Sequence, residues 1–146
     1  MITVAEAQSL CLAPLGTLGT ETVPIADAAG RTLITTANAT RPQPPFAASA
    51  MDGYAVEADA VAAGATFKVI GEAAAGHAWD GTAQTGEALR IFTGAPMPAG
   101  TTRVVIQEDV TRDGDVITLH DDIDDSTYVR PIGADFPADF ALTAPR

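Results

Sequence analysis

The residues able to do chemistry concentrate in two segments. In Pro45-Phe-Ala-Ala-Ser-Ala-Met-Asp-Gly-Tyr-Ala-Val56, a run of small residues leads to Asp52, presented beside Gly53. Small side chains let a backbone approach a ligand or another surface closely, and glycine frees the turn. Such an aspartate either offers its carboxylate to a ligand or caps its own turn. In Arg90-Ile-Phe-Thr-Gly-Ala-Pro-Met-Pro-Ala-Gly100, a strand is expected to end at Thr93-Gly94, and Pro96 and Pro98 stiffen the stretch after it. The Thr93 hydroxyl and the amides beside it suit an anion. The same segment also reads as a rigid link between strands.

Other reactive side chains are sparse. His77 and His120 have no cysteine or second histidine at ligand spacing, which argues against zinc. Cys11 is the only cysteine, so it neither closes an internal disulfide nor builds a metal site alone. From Glu108 to Asp125 there are eight acids and one arginine. Their spacing lacks the alternation and closing glutamate of an EF-hand loop, and they read as a solvated surface. No nucleophile elbow, phosphate-binding P-loop or dinucleotide fingerprint is present. Trp79 is expected to cap a β core.

The elements that must position these residues are mostly short strands. Thr3 and Glu6 form a capping box, and Ala7, Leu10, Cys11 and Leu15 make an apolar stripe at helical spacing. The helix should end at Pro14 and Gly16, and its stripe is expected to dock on its own chain or on a second copy, with the former favoured. Residues 21–25 look extended, Asp27 to Gly30 like a one-turn helix, and residues 31–36 like a strand. Three prolines between Arg41 and Pro45 predict an extended crossover. Residues 67–71, 88–93 and 103–107 read as strands. Asp113-Gly114 between two β-rich runs predicts a hairpin at 110–119. Residues 58–65 are alanine-rich and read as a short helix or a loop.

The chain has 146 residues, 8 basic and 19 acidic, for a formal charge of −11. That balance argues against nucleic acid, whose phosphates need clustered Lys and Arg. No apolar run approaches the roughly 20 residues of a transmembrane helix, and the start does not resemble a signal peptide. A cytoplasmic protein is expected. Hydrophobic residues make up 47%, but aromatics only 5%, so the core must be built from small and branched aliphatic side chains.

Together the two segments resemble the molybdopterin molybdenumtransferase family, MoeA in bacteria and the E domain of gephyrin in animals. The family pattern is close to Phe-Asp-Asn-Ser-Ala-Met-Asp-Gly-Tyr-Ala, and Phe46 to Ala55 matches it except at Ala47 and Ala48. Arg90 to Gly100 matches Arg-Ile-x-Thr-Gly-Ala-Pro-x-Pro-x-Gly throughout. Further matches are Ile2 to Ala7, Ala28 to Arg31, Val104-Val105 with Glu108, and Arg130 to Asp135, where Ala134 replaces a glutamate.

The resemblance implies a mainly β (α+β) fold with an N-terminal helix and bifurcated or barrel-like sheets. It suggests two subdomains: residues 1–41 with 126–146, holding the helix and an extended dimerisation region, and a β subdomain at 42–125. It implies a transferase that inserts molybdate into the dithiolene of adenylylated molybdopterin and releases AMP, with Mg2+. A homodimer is implied, and the molybdopterin-adenylating protein of the same pathway as a partner. Carried over by position, Asp52 and Thr93 are catalytic, and Asp52 is also the metal ligand. Ser49, Gly53, Gly94 and Asp135 are expected at the substrate. The family chain runs on for hundreds of residues, so this segment is expected to be its N-terminal part, supplying one wall of a shared cleft and inactive alone. The alternative is a non-catalytic dimerisation or partner-binding module derived from the family.

Overall fold

The computed structural model describes residues 2–16 and 18–145. The chain forms two compact units, Met1–Ala37 with Leu142–Arg146, and Asn38–Ala141. Among the described residues no helix is long and apolar enough to cross a membrane.

In the first unit, helix α1 (Val4–Leu12) begins with the expected capping box. Thr3 Oγ1 accepts from the Glu6 amide at 3.2 Å, and the Thr3 amide donates to Glu6 Oε2 at 2.7 Å. Within its own unit the helix finds no docking partner: no residue of α1 is buried. The stripe is thin, since Ala7 and Cys11 offer little apolar area to bury. The one-turn helix lies at Ile25–Asp27, so Asp27 ends it instead of capping it. Residues 31–36 do not form a strand. β-branched side chains favour extension, but a strand also needs a neighbour for its backbone groups, and none pairs there. Strands β1 (Ala37–Asn38) and β10 (Ala141–Leu142) form a small sheet of their own.

The second unit is a six-stranded sheet. Its strands are β3 (Gly53–Val56), β4 (Thr66–Ala73), β5 (Glu87–Ile91), β6 (Arg103–Ile106), β7 (Val110–Asp113) and β8 (Val116–Leu119). Their spatial order is β6-β3-β5-β4-β8-β7. The two outermost strands, β6 and β7, are consecutive in the chain and joined only by the 3-10 turn Gln107–Asp109. A flat sheet cannot place its two edges three residues apart, so this one curls into a half-barrel. The predicted hairpin is β7–β8, with Gly114 at φ 58° in its turn. Strand β4 pairs in parallel with β5, with a register shift between Val69 and Gly71. The alanine-rich stretch contributes one 3-10 turn, Ala58–Ala60.

Alternation sorts the strands into two cores. Tyr54, Val56, Phe67, Ala88, Val105, Ile117 and Leu119 cluster together. Ala55, Ala73, Ile91, Ala95 and Val104 form a second cluster, with Trp79 packed against it. Val56, Leu89, Ile91, Val104, Val105, Ile117 and Leu119 are fully buried. Each such side chain contributes about 2 kcal/mol by leaving water. Trp79 caps its cluster by lying over two glycines. A Cβ on Gly71 would stand 2.7 Å from its indole nitrogen, and one on Gly81 would stand 2.5 Å from its ring.

Two short strands complete the unit, β2 (Ala48–Ser49) and β9 (Val129–Arg130), paired antiparallel. They attach the segment before Asp52 to the segment before Asp135.

Candidate functional site: an aspartate held by a threonine

Asp52 sits one residue before β3, and Thr93 two residues after β5. These strands are neighbours, with Gly53 opposite Ile91. Antiparallel pairing therefore brings the start of one motif to the end of the other strand. Asp52 Oδ1 accepts from both the Thr93 amide and the Thr93 hydroxyl, each at 2.8 Å. The backbone bond first, then the hydroxyl bond, holds the Asp52 carboxyl below its ordinary pKa, and the charge of Arg90 adds to this. The group is a carboxylate at neutral pH, and it faces solvent. Thr93 thus bonds the aspartate, where the sequence left it free to hold an anion or to link strands.

The backbone around Asp52 is held as firmly. Its carbonyl accepts from the Gln107 amide at 3.1 Å. The next residue, Gly53, lies between β5 and β6 with no room for a side chain: a Cβ would stand 2.1 Å from the Val105 carbonyl oxygen. Gly53 is therefore required by packing.

Ser49 and Gly94 are brought together through their backbones. The Gly94 amide donates to the Ser49 carbonyl at 2.9 Å, and the Ser49 amide donates to the Ala95 carbonyl at 3.0 Å. Ser49 is 1% exposed, and its hydroxyl donates to the Met51 carbonyl at 2.6 Å. Gly94 takes φ 83°, a conformation that favours glycine. Ala47 accepts from the Met97 amide at 2.9 Å, and Ala48 bridges Pro96. At the two positions where the family pattern has Asp-Asn, this chain makes backbone pairings that need no polar side chain.

Asp135 shares no hydrogen bond with the Asp52–Thr93 pair. Its carboxylate meets Arg130 at 2.5 Å, and its amide donates to the Gln43 carbonyl at 2.8 Å. His120 bonds Thr111 at 3.0 Å, and His77 closes a tight turn with Ala74.

Sequence reasoning missed Gln107 and the part played by Arg90. Arg90 donates to the Gly53 carbonyl at 3.0 Å and to Gln107 Oε1 at 2.6 Å. Its guanidinium lies over the rings of Tyr54, at 5.3 Å, and Phe92, at 4.7 Å. The signal that reveals it is the register placing Tyr54 opposite Arg90, which a linear motif does not carry.

The donor set fits a magnesium ion in one respect. Asp52 Oδ1 is occupied by Thr93, and Oδ2 has no protein partner among the described residues. Magnesium is commonly held by one or two carboxylates, with water and substrate phosphate completing its shell. The site is no self-sufficient cage: among the described residues no group of three or more His, Cys, Asp or Glu could hold a metal.

Comparison with known proteins places this geometry in context. The family model described as MoeA N-terminal region (domain I and II) matches residues 2–144. A molybdopterin molybdenumtransferase of Nostoc sp. is 44% identical over 94 residues, covering 61% of this chain and 22% of that protein. One from Haemophilus influenzae is 39% identical over 93 residues, covering 63% and 23%. Among solved structures, a molybdopterin biosynthesis moeA protein from Pyrococcus horikoshii superposes with a TM-score of 0.86 at 30% identity. That match covers 97% of this chain and 39% of the other. The chain spans less than a quarter of the length of these two curated relatives.

Proposed function

Because this chain belongs to the MoeA N-terminal region family, we propose that it supplies one wall of the site at which a molybdopterin molybdenumtransferase inserts molybdate into adenylylated molybdopterin. The observation that carries this reading is the Asp52 carboxylate, kept ionised by two Thr93 donors and presented to solvent. Both substrates are anions, and a chain of charge −11 repels them. Asp52 can hold a magnesium ion through Oδ2 while Thr93 orients the carboxylate through Oδ1. Such an ion, when bound, screens substrate phosphate charge and so offsets the repulsion. Gly94, exposed at the rim, lets a substrate approach the backbone, while Gly53 lets β3 fit between β5 and β6. In this reading Asp135 lines the substrate side, and Ser49 holds the two motif loops in register. The reaction belongs to a longer, cytoplasmic enzyme that takes its substrate from the molybdopterin-adenylating protein.

A second reading, a module that dimerises without catalysis, has its own support. Leu10, Leu12, Leu15, Leu18 and Ile25 are all exposed. Apolar surface of this kind suits a second copy of the chain. Retained molybdenum incorporation on loss of the Asp52 charge would favour this second reading.

The test is Asp52→Asn in a full-length protein carrying this segment. The variant keeps the shape of the side chain and loses the charge. Molybdenum incorporation should fall by about 100-fold, the scale for losing a positioned electrostatic group. Undiminished incorporation would remove Asp52 from the chemistry.

A further inference from the structure

Asp52 is held at three points, and Arg90 stands behind two of them. The side chain is held by Thr93, the carbonyl by the Gln107 amide, and the following carbonyl, Gly53, by Arg90 Nη1 at 3.0 Å. Arg90 Nη2 also grips Gln107 through its side-chain oxygen at 2.6 Å. Arg90 and Thr93 lie three residues apart at the end of β5. One guanidinium therefore ties together the residue after Asp52, the residue that holds the Asp52 carbonyl, and the strand that delivers Thr93.

The guanidinium is itself held in place. It lies over Tyr54, which is 5% exposed, and over Phe92, at centroid distances of 5.3 and 4.7 Å. Two aromatic contacts fix the plane of the fork, and the fork fixes the two oxygens it reaches. Among the described residues no carboxylate takes up its charge at salt-bridge distance. Its hydrogen bonds go to neutral carbonyl and amide oxygens, an arrangement that serves position more than charge neutralisation.

We propose that Arg90 is the positioning residue of this site: it sets the geometry in which Thr93 grips the Asp52 carboxylate, acting through Gly53 and Gln107 and touching no substrate. The proposal rests on the reading of Asp52 as functional. Its test is spectroscopic, so it can fail without that reading failing.

A lysine at this position keeps the positive charge but lacks the planar fork that reaches both oxygens and stacks on both rings. In the whole chain labelled with 15N and 13C, Arg90→Lys should weaken the scalar coupling carried across the hydrogen bond from the Thr93 amide to the Asp52 carboxyl carbon. It should also move the Thr93 amide resonance upfield, as its bond to Oδ1 lengthens. The Phe67 and Ile117 amides, in the core, report that the fold is kept. Gln107→Ala leaves Arg90 in place and removes one anchor, so it should shift both signals in the same direction by less. It also serves if the lysine variant does not fold. A folded Arg90→Lys protein whose Thr93–Asp52 coupling and Thr93 amide resonance match the parent would overturn the proposal, because the charge alone would then account for the site. Unchanged signals in Gln107→Ala would overturn it as well.

Discussion

Two aspartates, each anchored by a nearby residue, are held by opposite means. Asp52 is gripped by neutral donors, the amide and hydroxyl of Thr93, so no salt bridge cancels its charge among the described residues and one oxygen stays open. Asp135 is gripped by the Arg130 guanidinium, which cancels its charge. The first arrangement keeps a carboxylate ready for a cation. The second makes a tether between the loop after β9 and β9 itself. Both acids sit in motif-like stretches of sequence, and only their partners distinguish them.

The glycines beside the two acids allow the strongest challenge to this contrast. Gly53→Ala drives a Cβ to 2.1 Å from the Val105 carbonyl, in the middle of three hydrogen-bonded strands. It should destabilise the protein by about 3 kcal/mol, read from urea denaturation. Gly133, beside Asp135, has space around its Cα: its nearest atoms are 3.5 Å from a built Cβ, and only its φ of 72° favours glycine. Gly133→Ala should cost about 1 kcal/mol for the left-handed backbone. Equal losses would mean that the two acids stand on equally rigid frames.

A smaller effect is expected at Asp135. Arg130 and Asp135 are each roughly half exposed. Asp135→Asn should cost about 0.5 kcal/mol, the range for a surface pair, and roughly 1 M salt should remove most of the difference. The Asp135 amide bond to Gln43 is untouched by the change.

The subtlest probe is Thr93→Val, which deletes the hydroxyl bond to Asp52 and keeps the backbone bond. The Asp52 pKa should rise toward its ordinary value of 3.8. The sign for stability comes from the lowered pKa of the folded state. The contribution of Asp52 is fully present above 3.8 and is lost as pH falls through the folded value. Thr93→Val should therefore lose stability above pH 3.8 and converge on the parent in stronger acid. Denaturation curves at the two ends of that window would show it, and parallel curves would mean that the hydroxyl bond is idle.

Local patterns were readable where they are self-contained. Thr3 and Glu6 make their reciprocal bonds within one helical turn, and Asp113-Gly114 forms its hairpin turn among adjacent residues. Residues 31–36 were misread because β-branched composition describes half of what a strand needs, and the missing half is a neighbour. The reverse error hid β3. No strand was expected at Gly53 to Val56, yet the stretch is the inner strand between β5 and β6, and all four residues are buried. The parallel pairing of β4 with β5 had no local signal, since residues far apart in the chain decide it.

For the site, the division falls between identity and geometry. The linear motifs name Asp52, Thr93, Gly53 and Gly94, because a family's short patterns are carried in the order of residues. They leave open whether Thr93 holds a ligand or holds Asp52, and whether Arg90 matters at all. Those answers depend on a register: Gly53 opposite Ile91 and Tyr54 opposite Arg90. Sequence alone settled which residues are available, the acidic balance, and the local caps and turns, because each depends on residue type or on neighbours a few positions away. Tertiary structure alone decided the partners, because strand pairing brings a carboxylate at 52 within 2.8 Å of a hydroxyl at 93, and no local rule spans that distance.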